Sequence, residues 1–175
     1  MPHSTAENDL TVLVFNTGSS SLTFKLYRHS EVLLRGKCHR VGVHGTQVQF
    51  VEIFRGEERL RQEVALSDHL AAARYVLEHM GRTGLPVDAV GHRFADGGGY
   101  FSRGVVVTPE TRPVLERCAP LAPLHNTAAL GMIDLVHKRY PAARQYVVFD
   151  STFHSGLPDV ARFYALPYET ALSYR

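Results

Sequence analysis

Short segments of this chain combine glycine, serine, histidine, arginine and aspartate in patterns that suit the binding of phosphate or carboxylate. The first, Asn16–Ser21, joins two apolar runs through Gly18 and three consecutive serines. Glycine lets a backbone approach a ligand closely, and serine hydroxyls and turn N–H groups can donate to an anion. The segment lacks the Gly-Lys-Ser/Thr ending and following helix of a P-loop. It predicts a hairpin that grips phosphate, with an ordinary surface hairpin as the alternative.

Three later residues with charged or titratable side chains stand at the predicted ends of strands and helices. Arg93 ends a strand just before a glycine-rich stretch, and its guanidinium fork suits a carboxylate or a phosphate. His125 stands at a predicted helix start. Asp150 ends a strand, which is a common place for a carboxylate that binds magnesium or positions a reactant. The structural alternatives are a surface ion pair for Arg93, a solvent-facing cap for His125 and an N-cap for Asp150.

Hydrophobic periodicity predicts the strands that must position these groups. The predicted strands are Leu10–Phe15, Leu22–Tyr27, Val32–Val43, Gln47–Phe54, Glu58–Val64, Val87–His92, Val105–Val107 and a last one from Tyr146 to Asp150. The first five form a meander. Leu10–Phe15 is almost continuously apolar, which is typical of a strand buried on both faces.

Three helices are predicted after the strand meander, each with a start signal. The predicted starts are Ser67 as N-cap of Asp68–Met80, Thr108 with Pro109, and Asn126 as N-cap of the last. Gly81 and Pro141 are predicted to end the first and third helices. Strands followed by alternating helices and strands predict a mixed α/β layered domain.

Composition limits the classes of partner. The chain has 175 residues, 45% of them apolar, which is enough for one domain with a core. Its net charge is +2, and residues of both signs are interspersed along the chain. We therefore expect neither nucleic acid nor a membrane as partner. Cys38 and Cys118 have no metal-like spacing. The polar start lacks the apolar core of a signal peptide. We expect a soluble, cytoplasmic protein in which residues 1–9 form a flexible tail.

Five segments, in one order, resemble the acetate kinase family, which includes propionate and butyrate kinases. They are Asn16–Ser21, Gly91–Arg93 with Gly97–Gly98, Leu121–Asn126, Phe149–Asp150 with Phe153–His154, and Tyr164–Glu169. Their order and approximate spacing match along nearly the whole chain. The resemblance implies a ribonuclease H-like layered α/β domain of the actin, sugar kinase and Hsp70 superfamily, with a mixed sheet and flanking helices.

The resemblance also implies an activity. The family reversibly transfers the γ-phosphoryl group of ATP to the carboxylate of acetate or another short-chain acid, giving acyl phosphate and ADP, with Mg²⁺. The partners it implies are therefore a short-chain carboxylate or acyl phosphate, with ATP or ADP as co-substrate. The transition state of phosphoryl transfer is loose, so its stabilisation depends on positioning and positive charge more than on covalent bonds to the protein.

Family motifs assign roles to single residues of this chain. Those assigned to phosphate and metal handling are Asn16, Ser19 and Ser21, with Asn16 as a magnesium ligand and Asp150 as a second one. Those assigned to substrate binding and catalysis are Arg93, Ala95, Leu124, His125 and Asp150. Arg93 would hold the acyl carboxylate or the phosphoryl group, and His125 would stabilise charge on the transferring group. Asp150 would position magnesium or the carboxylate nucleophile.

Departures from the family pattern modify these expectations. Thr23 stands where the family usually has lysine, and Lys25 on the same strand face could partly substitute. Asp96 replaces a histidine and would place negative charge near an anionic substrate. Ala95 replaces a valine that lines the acyl pocket in the family. The extra room predicts a preference for propionate or a larger acid.

The family continues into a second, nucleotide-binding domain that carries the adenosine-binding loops and most of the dimer interface, and the resemblance covers only the first domain. We therefore expect residues 10–175 to be the N-terminal, acyl-substrate domain of such a kinase, inactive by itself. The family homodimer would form through the second domain, so this chain alone is expected to be a monomer. The alternative is a stand-alone domain that binds acyl phosphate or a partner without turnover.

Overall fold

The computed structural model describes residues 9–162 and 166–173. In that part of the chain, the strands are β1 Thr11–Thr17, β2 Ser21–Arg28, β3 Glu31–His39, β4 Phe50–Arg55, β5 Glu58–Glu63, β6 Ala89–Phe94, β7 Val105–Val106 and β8 Arg144–Phe149. The helices are α1 His69–Thr83, α2 Arg112–Arg117, α3 Pro123–Arg139, α4 Asp159–Arg162 and α5 Tyr168–Ser173. Three short 3-10 helices cover Gly98–Tyr100, Ala119–Leu121 and Asp150–His154. The predicted tail up to residue 8 and the first two residues of the predicted Tyr164–Glu169 motif lie outside the described residues.

The strands form one mixed sheet in the order β5-β4-β3-β2-β1-β6-β8-β7. The first five strands make the predicted antiparallel meander, while β1, β6 and β8 run parallel. The parallel strands therefore end at the same edge of the sheet. Gly18 follows β1, Ala95 follows β6 and Asp150 follows β8 at this edge, which we call the carboxyl edge. In open α/β sheets this edge is the usual place for a ligand.

One face of the sheet is packed more tightly than the other. Leu13 and Phe15 of β1 are fully buried, whereas Val12 and Val14 are only partly buried. The prediction that this strand is fully buried on both faces was therefore wrong, because one face is only partly buried. The reason is that α1 and α3 pack against each other and cover the same face. Among the described helices, none is long and apolar enough to cross a bilayer.

Helix α1 starts and ends at later residues than predicted. The helix is capped by Asp68, whose side chain accepts a hydrogen bond from Ala71 N at 2.7 Å, and not by Ser67. A carboxylate at this position also favours the positive end of the helix dipole. The helix continues through Gly81 to Gly84, whose φ of 69° is left-handed. A Cβ at Gly81 would lie 1.9 Å from an Arg139 guanidinium nitrogen, so a larger residue there would require the end of the Arg139 side chain to move.

The start of α2 also differs from the prediction. Thr108 and Thr111 hydrogen-bond to each other's backbone N–H groups, and this turn occupies the predicted first helical residues. Thr111 Oγ1 additionally donates to Val106 O at 2.7 Å. The helix therefore begins at Arg112, with Pro113 in its first turn. Local side-chain hydrogen bonds competed with helix formation here, as is usual for threonine.

Candidate active site

The Asn16–Ser21 segment is the predicted hairpin connection between β1 and β2. Gly18 N donates to Ser21 O at 2.8 Å, and Ser20 O accepts from Val41 N at 2.9 Å. Ser19 and Ser20 are exposed. Among the described residues, no hydrogen bond is found from the N–H groups of Ser19 and Ser20. The turn therefore presents free backbone donors to solvent, which is the arrangement that an anion-binding turn needs.

Arg93 lies beside this turn and links two of the parallel strands. Its Nε donates to both carboxylate oxygens of Asp150 at 2.9 Å, and its Nη2 also donates to Asp150. Its Nη1 donates to Thr17 O at 2.8 Å and lies 3.4 Å from Asn16 Oδ1. Hydrogen bonding to Asp150 raises the pKa of Arg93 above its already high value. Residues far apart in sequence thus meet at the carboxyl edge.

His125 reaches the same point from the first turn of α3. Its Nδ1 lies 3.2 Å from Thr17 O, the carbonyl that also accepts from Arg93. Because a carbonyl only accepts, Nδ1 carries the proton in this contact. The other ring nitrogen, Nε2, then donates to an anion only when the imidazole is protonated. The structure thus gathers Asn16, Arg93, His125 and Asp150, while their catalytic roles stay predictions.

The remaining predicted site residues are less closely gathered. Ser19 is exposed on the turn, and Ser21 is the first residue of β2. Ala95 follows β6 and is partly buried. Leu124 is 75% exposed on the first turn of α3, so in this structure its side chain lines no closed acyl pocket.

Lys25 lies away from the hairpin turn. Its ammonium nitrogen is 6.0 Å from the centre of the Tyr27 ring, which is farther along β2 than Lys25 itself. Thr23, the position where the family usually has lysine, pairs with Asn16 in the hairpin. The direction of Lys25 gives no support to its predicted partial replacement of that lysine.

Asp96 faces its own loop. Its Oδ1 accepts a hydrogen bond from Gly98 N at 2.8 Å, which closes a short Asx turn in the glycine-rich segment. Gly98 has a left-handed φ of 57°, a conformation that glycine adopts at little cost. The Gly97 N–H is also used, because it donates to Ser151 Oγ at 3.1 Å. The N–H groups of Gly97 and Gly98 are therefore already hydrogen-bonded to side chains of the protein.

Asn126 has a role that the sequence interpretation missed. The prediction of an N-cap was wrong: α3 begins at Pro123, and Asn126 is a fully buried residue of its first turn. Its side-chain oxygen accepts from Ala95 N at 3.0 Å, and its nitrogen donates to Asp96 O and Cys118 O at 2.8 and 2.7 Å. Proline favours the first helical position. Pro123 was therefore the available signal that the helix starts earlier.

The oxygen atoms at the carboxyl edge fit an Mg²⁺ ion that is bound jointly by the protein and by a substrate phosphate. Asn16 and Asp150 each offer oxygen, the ligand atom that Mg²⁺ prefers. Asp150 is 51% exposed, and a carboxylate has lone pairs beyond those used by Arg93. Among the described residues, no group of three histidine, cysteine or acidic side chains could hold a metal. Mg²⁺ is commonly held by one or two carboxylates together with substrate phosphates, and these residues match that pattern.

Comparisons with known proteins agree on the class and on the family. A family model described as the acetokinase family matches residues 11–174. The chain is 34% identical to the acetate kinase of Helicobacter acinonychis (strain Sheeba) over 174 residues, which is 95% of this chain and 44% of that protein. It is 38% identical to the acetate kinase of Desulforamulus reducens over 175 residues, again 95% of this chain and 44% of that protein.

Solved structures give the same answer for the fold. The crystal structure of Porphyromonas gingivalis acetate kinase matches with a TM-score of 0.79 and 34% identity, over 94% of this chain and 43% of that one. A propionate kinase from Francisella tularensis matches with a TM-score of 0.79 and 28% identity, over the same shares. The chain therefore spans less than half the length of these relatives.

The mixed sheet with its flanking helices is a layered α/β domain of the actin, sugar kinase and Hsp70 superfamily. Within that class, the chain belongs to the acetokinase family.

Proposed function

We propose that this chain is the acyl-substrate domain of a phosphotransferase that moves the γ-phosphoryl group of ATP reversibly onto the carboxylate of a short-chain acid. The products would be an acyl phosphate and ADP. Support comes from the family membership and from one structural observation. Arg93, Asp150, Asn16 and His125 converge at the carboxyl edge, beside a turn with free N–H groups.

Arg93 would bind the anionic substrate. Thr17 O and Asp150 use some of its N–H groups, and arginine has more donors than these contacts require. Nη1 donates to Thr17 O and lies near Asn16 Oδ1, while Nε and Nη2 donate to Asp150, so among the described residues one N–H of Nη2 has no assigned acceptor. A guanidinium N–H held in place in this way would donate a charge-assisted hydrogen bond to a carboxylate or phosphoryl group. Positioning of this kind lowers the barrier to reaction by removing orientational freedom in advance.

Asp150 makes the charge balance of the site depend on the metal. Paired with Arg93, it cancels the arginine charge, so the pair by itself attracts an anion weakly. Mg²⁺ held by Asp150 and Asn16 would supply positive charge beside the phosphates. The imidazolium form of His125 would donate from Nε2 to the same region, because its Nδ1 is held by Thr17 O. The N–H groups of Ser19 and Ser20 would complete the phosphate contacts.

Calorimetric titration of this chain with acetyl phosphate, and separately with ATP and Mg²⁺, tests the proposal. We expect acetyl phosphate to bind, because the residues that would contact it are present on this chain. Acetate alone is the matched control and should bind more weakly, since it lacks the phosphoryl group that the turn would hold. A chain that is folded by circular dichroism and binds no acyl phosphate would contradict the proposal.

The acyl preference is a separate part of the proposal. Ala95 is smaller than the valine found there in related kinases, and Leu124 leaves the neighbouring surface open. We expect propionyl phosphate or butyryl phosphate to bind better than acetyl phosphate. The Ala95→Val variant should shift the preference back towards acetyl. An acyl-length series in which acetyl phosphate binds best to the unmodified chain would overturn this preference and leave the activity class intact.

A further inference from the structure

His69 makes a long-range contact with the hairpin turn. It is the first residue of α1 and is half-buried. Its Nε2 lies 2.8 Å from the carbonyl oxygen of Gly18, 51 positions earlier in the chain. Since the carbonyl can only accept, the histidine donates from Nε2. The role of His69 was not foreseen from the sequence, because no local pattern connects it with the turn.

This contact fixes the orientation of the Ser19 N–H group. The carbonyl of Gly18 and the N–H of Ser19 belong to one planar trans peptide unit, in which they point in opposite directions. A hydrogen bond that holds the Gly18 carbonyl towards α1 therefore turns the Ser19 N–H away from α1. That N–H is one of the two turn donors that have no acceptor among the described residues, and Ser19 is exposed.

Two other carbonyls of the turn are also held by different parts of the chain. Thr17 O accepts from Arg93 and lies within reach of His125 Nδ1, and Ser20 O accepts from Val41 N. The orientation of the Gly18–Ser19 peptide is set by ψ of Gly18 and φ of Ser19, and the hydrogen bond from His69 holds its carbonyl. His69 thus restrains this peptide unit against rotation.

We propose that His69 is a positioning residue, which holds the Gly18–Ser19 peptide so that the Ser19 N–H faces the phosphoryl group of the substrate. The proposal rests on the proposed function for the identity of the ligand. The restraint that His69 places on the turn in the ligand-free protein does not depend on that function. The two parts can therefore be tested separately.

The test compares three variants by backbone amide NMR and by acetyl phosphate titration. His69→Phe keeps an aromatic ring and removes the donor. His69→Gln keeps an N–H donor at a similar reach. His79→Phe, at the other end of α1, is the matched control for introducing a phenylalanine on this helix.

In the ligand-free protein, we expect His69→Phe to shift or broaden the Ser19 amide resonance, while His69→Gln and His79→Phe leave it close to its original position. Loss of one oriented hydrogen bond should weaken acetyl phosphate binding about tenfold in His69→Phe. In His69→Gln the affinity should stay within about threefold of the original, because an N–H donor is retained. A residue with a purely structural role would lower the melting temperature without this selective change and rescue.

Two results overturn the proposal: an unchanged Ser19 resonance in His69→Phe, or equal loss of affinity in His69→Phe and His69→Gln at unchanged stability. If the unmodified chain binds no acetyl phosphate, the proposed function fails, and the Ser19 resonance still decides the role of His69. His69→Ala, which adds no bulk, repeats the comparison if the phenylalanine variant unfolds.

Discussion

Two turns that contain glycine follow neighbouring parallel strands at the same edge of the sheet, and they differ in what their N–H groups bind. In the turn after β1, the carbonyls of Thr17, Gly18 and Ser20 accept from the protein, and among the described residues the N–H groups of Ser19 and Ser20 have no partner. In the turn after β6, the protein uses the N–H groups. Gly97 donates to Ser151 Oγ and Gly98 donates to Asp96 Oδ1.

Glycine content alone therefore does not define an anion site. In the first turn, distant donors hold the carbonyls of Thr17, Gly18 and Ser20, and the N–H groups of Ser19 and Ser20 have no partner among the described residues. The second contains its own acceptor, Asp96, which satisfies it locally. A turn binds an anion when its donors lack internal partners, and that depends on which side chains lie around it.

The largest predicted effect concerns the anchor of the second turn. Asn126→Ala removes three buried hydrogen bonds and leaves Ala95 N, Asp96 O and Cys118 O without this partner. We expect a loss of about 4 kcal/mol in the free energy of unfolding, measured with urea. Thr127→Ala, at the exposed next position of α3, is the control and should change stability little. A loss below about 1 kcal/mol for Asn126→Ala would contradict this role.

The next effect concerns the first turn. Arg93→Ala removes the guanidinium that holds Thr17 O and faces the proposed anion, so acetyl phosphate affinity should fall by more than about a hundredfold. The control is Arg112→Ala, because Arg112 makes a similar forked ion pair with Asp134 at nearly the same exposure, 26% against 28%. Arg112 is the first residue of α2, and its side chain reaches Asp134 of α3, so its loss should not affect binding. Equal losses of affinity in both variants would indicate a general charge effect.

A pH dependence should arise from the strand beneath the second turn. His92 of β6 is fully buried, and burial lowers its pKa to about 4. Its Nε2 bonds Gln145, whereas no partner of Nδ1 is found among the described residues, so the added proton would be buried without an acceptor. The unfolded chain has the higher pKa, near 6.5, and binds the proton first. Stability should therefore be constant above about pH 6.5 and fall by about 3 kcal/mol as pH decreases to 4.

Urea unfolding at several pH values measures this dependence. His92→Gln, which does not titrate and can still bond Gln145, is the reference that removes the contribution of the acidic residues common to both proteins. We expect the difference in unfolding free energy between the two proteins to change across this pH range. Parallel curves for the two proteins would show that His92 does not titrate as described.

The smallest predicted effect tests the charge of the second turn. Asp96→Asn keeps an oxygen for Gly98 N and removes the negative charge, so acetyl phosphate affinity should rise by about two- to threefold. The gain should shrink as salt is added, because Asp96 is only partly buried and salt screens its charge. Asp134→Asn, which also removes one carboxylate, is the distant control. A decrease in affinity would mean that the carboxylate itself helps to bind the ligand.

Most of the fold was predictable because its signals are local. Alternation in Leu22, Phe24 and Leu26 predicted a half-buried strand, and all three side chains are buried in β2. The order of strands and helices predicted the mixed α/β layering. The helix starts were less predictable, because several Ser, Thr, Asp and Asn residues compete as caps. Asp68 rather than Ser67, and the Thr108–Thr111 turn, were selected by hydrogen bonds that a pattern does not reveal.

The site was predictable in its residue types. The sequence by itself determined that Asn16, Arg93, His125 and Asp150 lie at element ends, because glycine, proline and the end of each apolar run mark those ends. The tertiary structure decided that Arg93 pairs with Asp150, that Asn126 is buried, and that His69 holds Gly18. These contacts join residues separated by 30 to 57 positions. Such distant groups meet only when the strands align in the sheet, and short-range periodicity contains no information about that alignment.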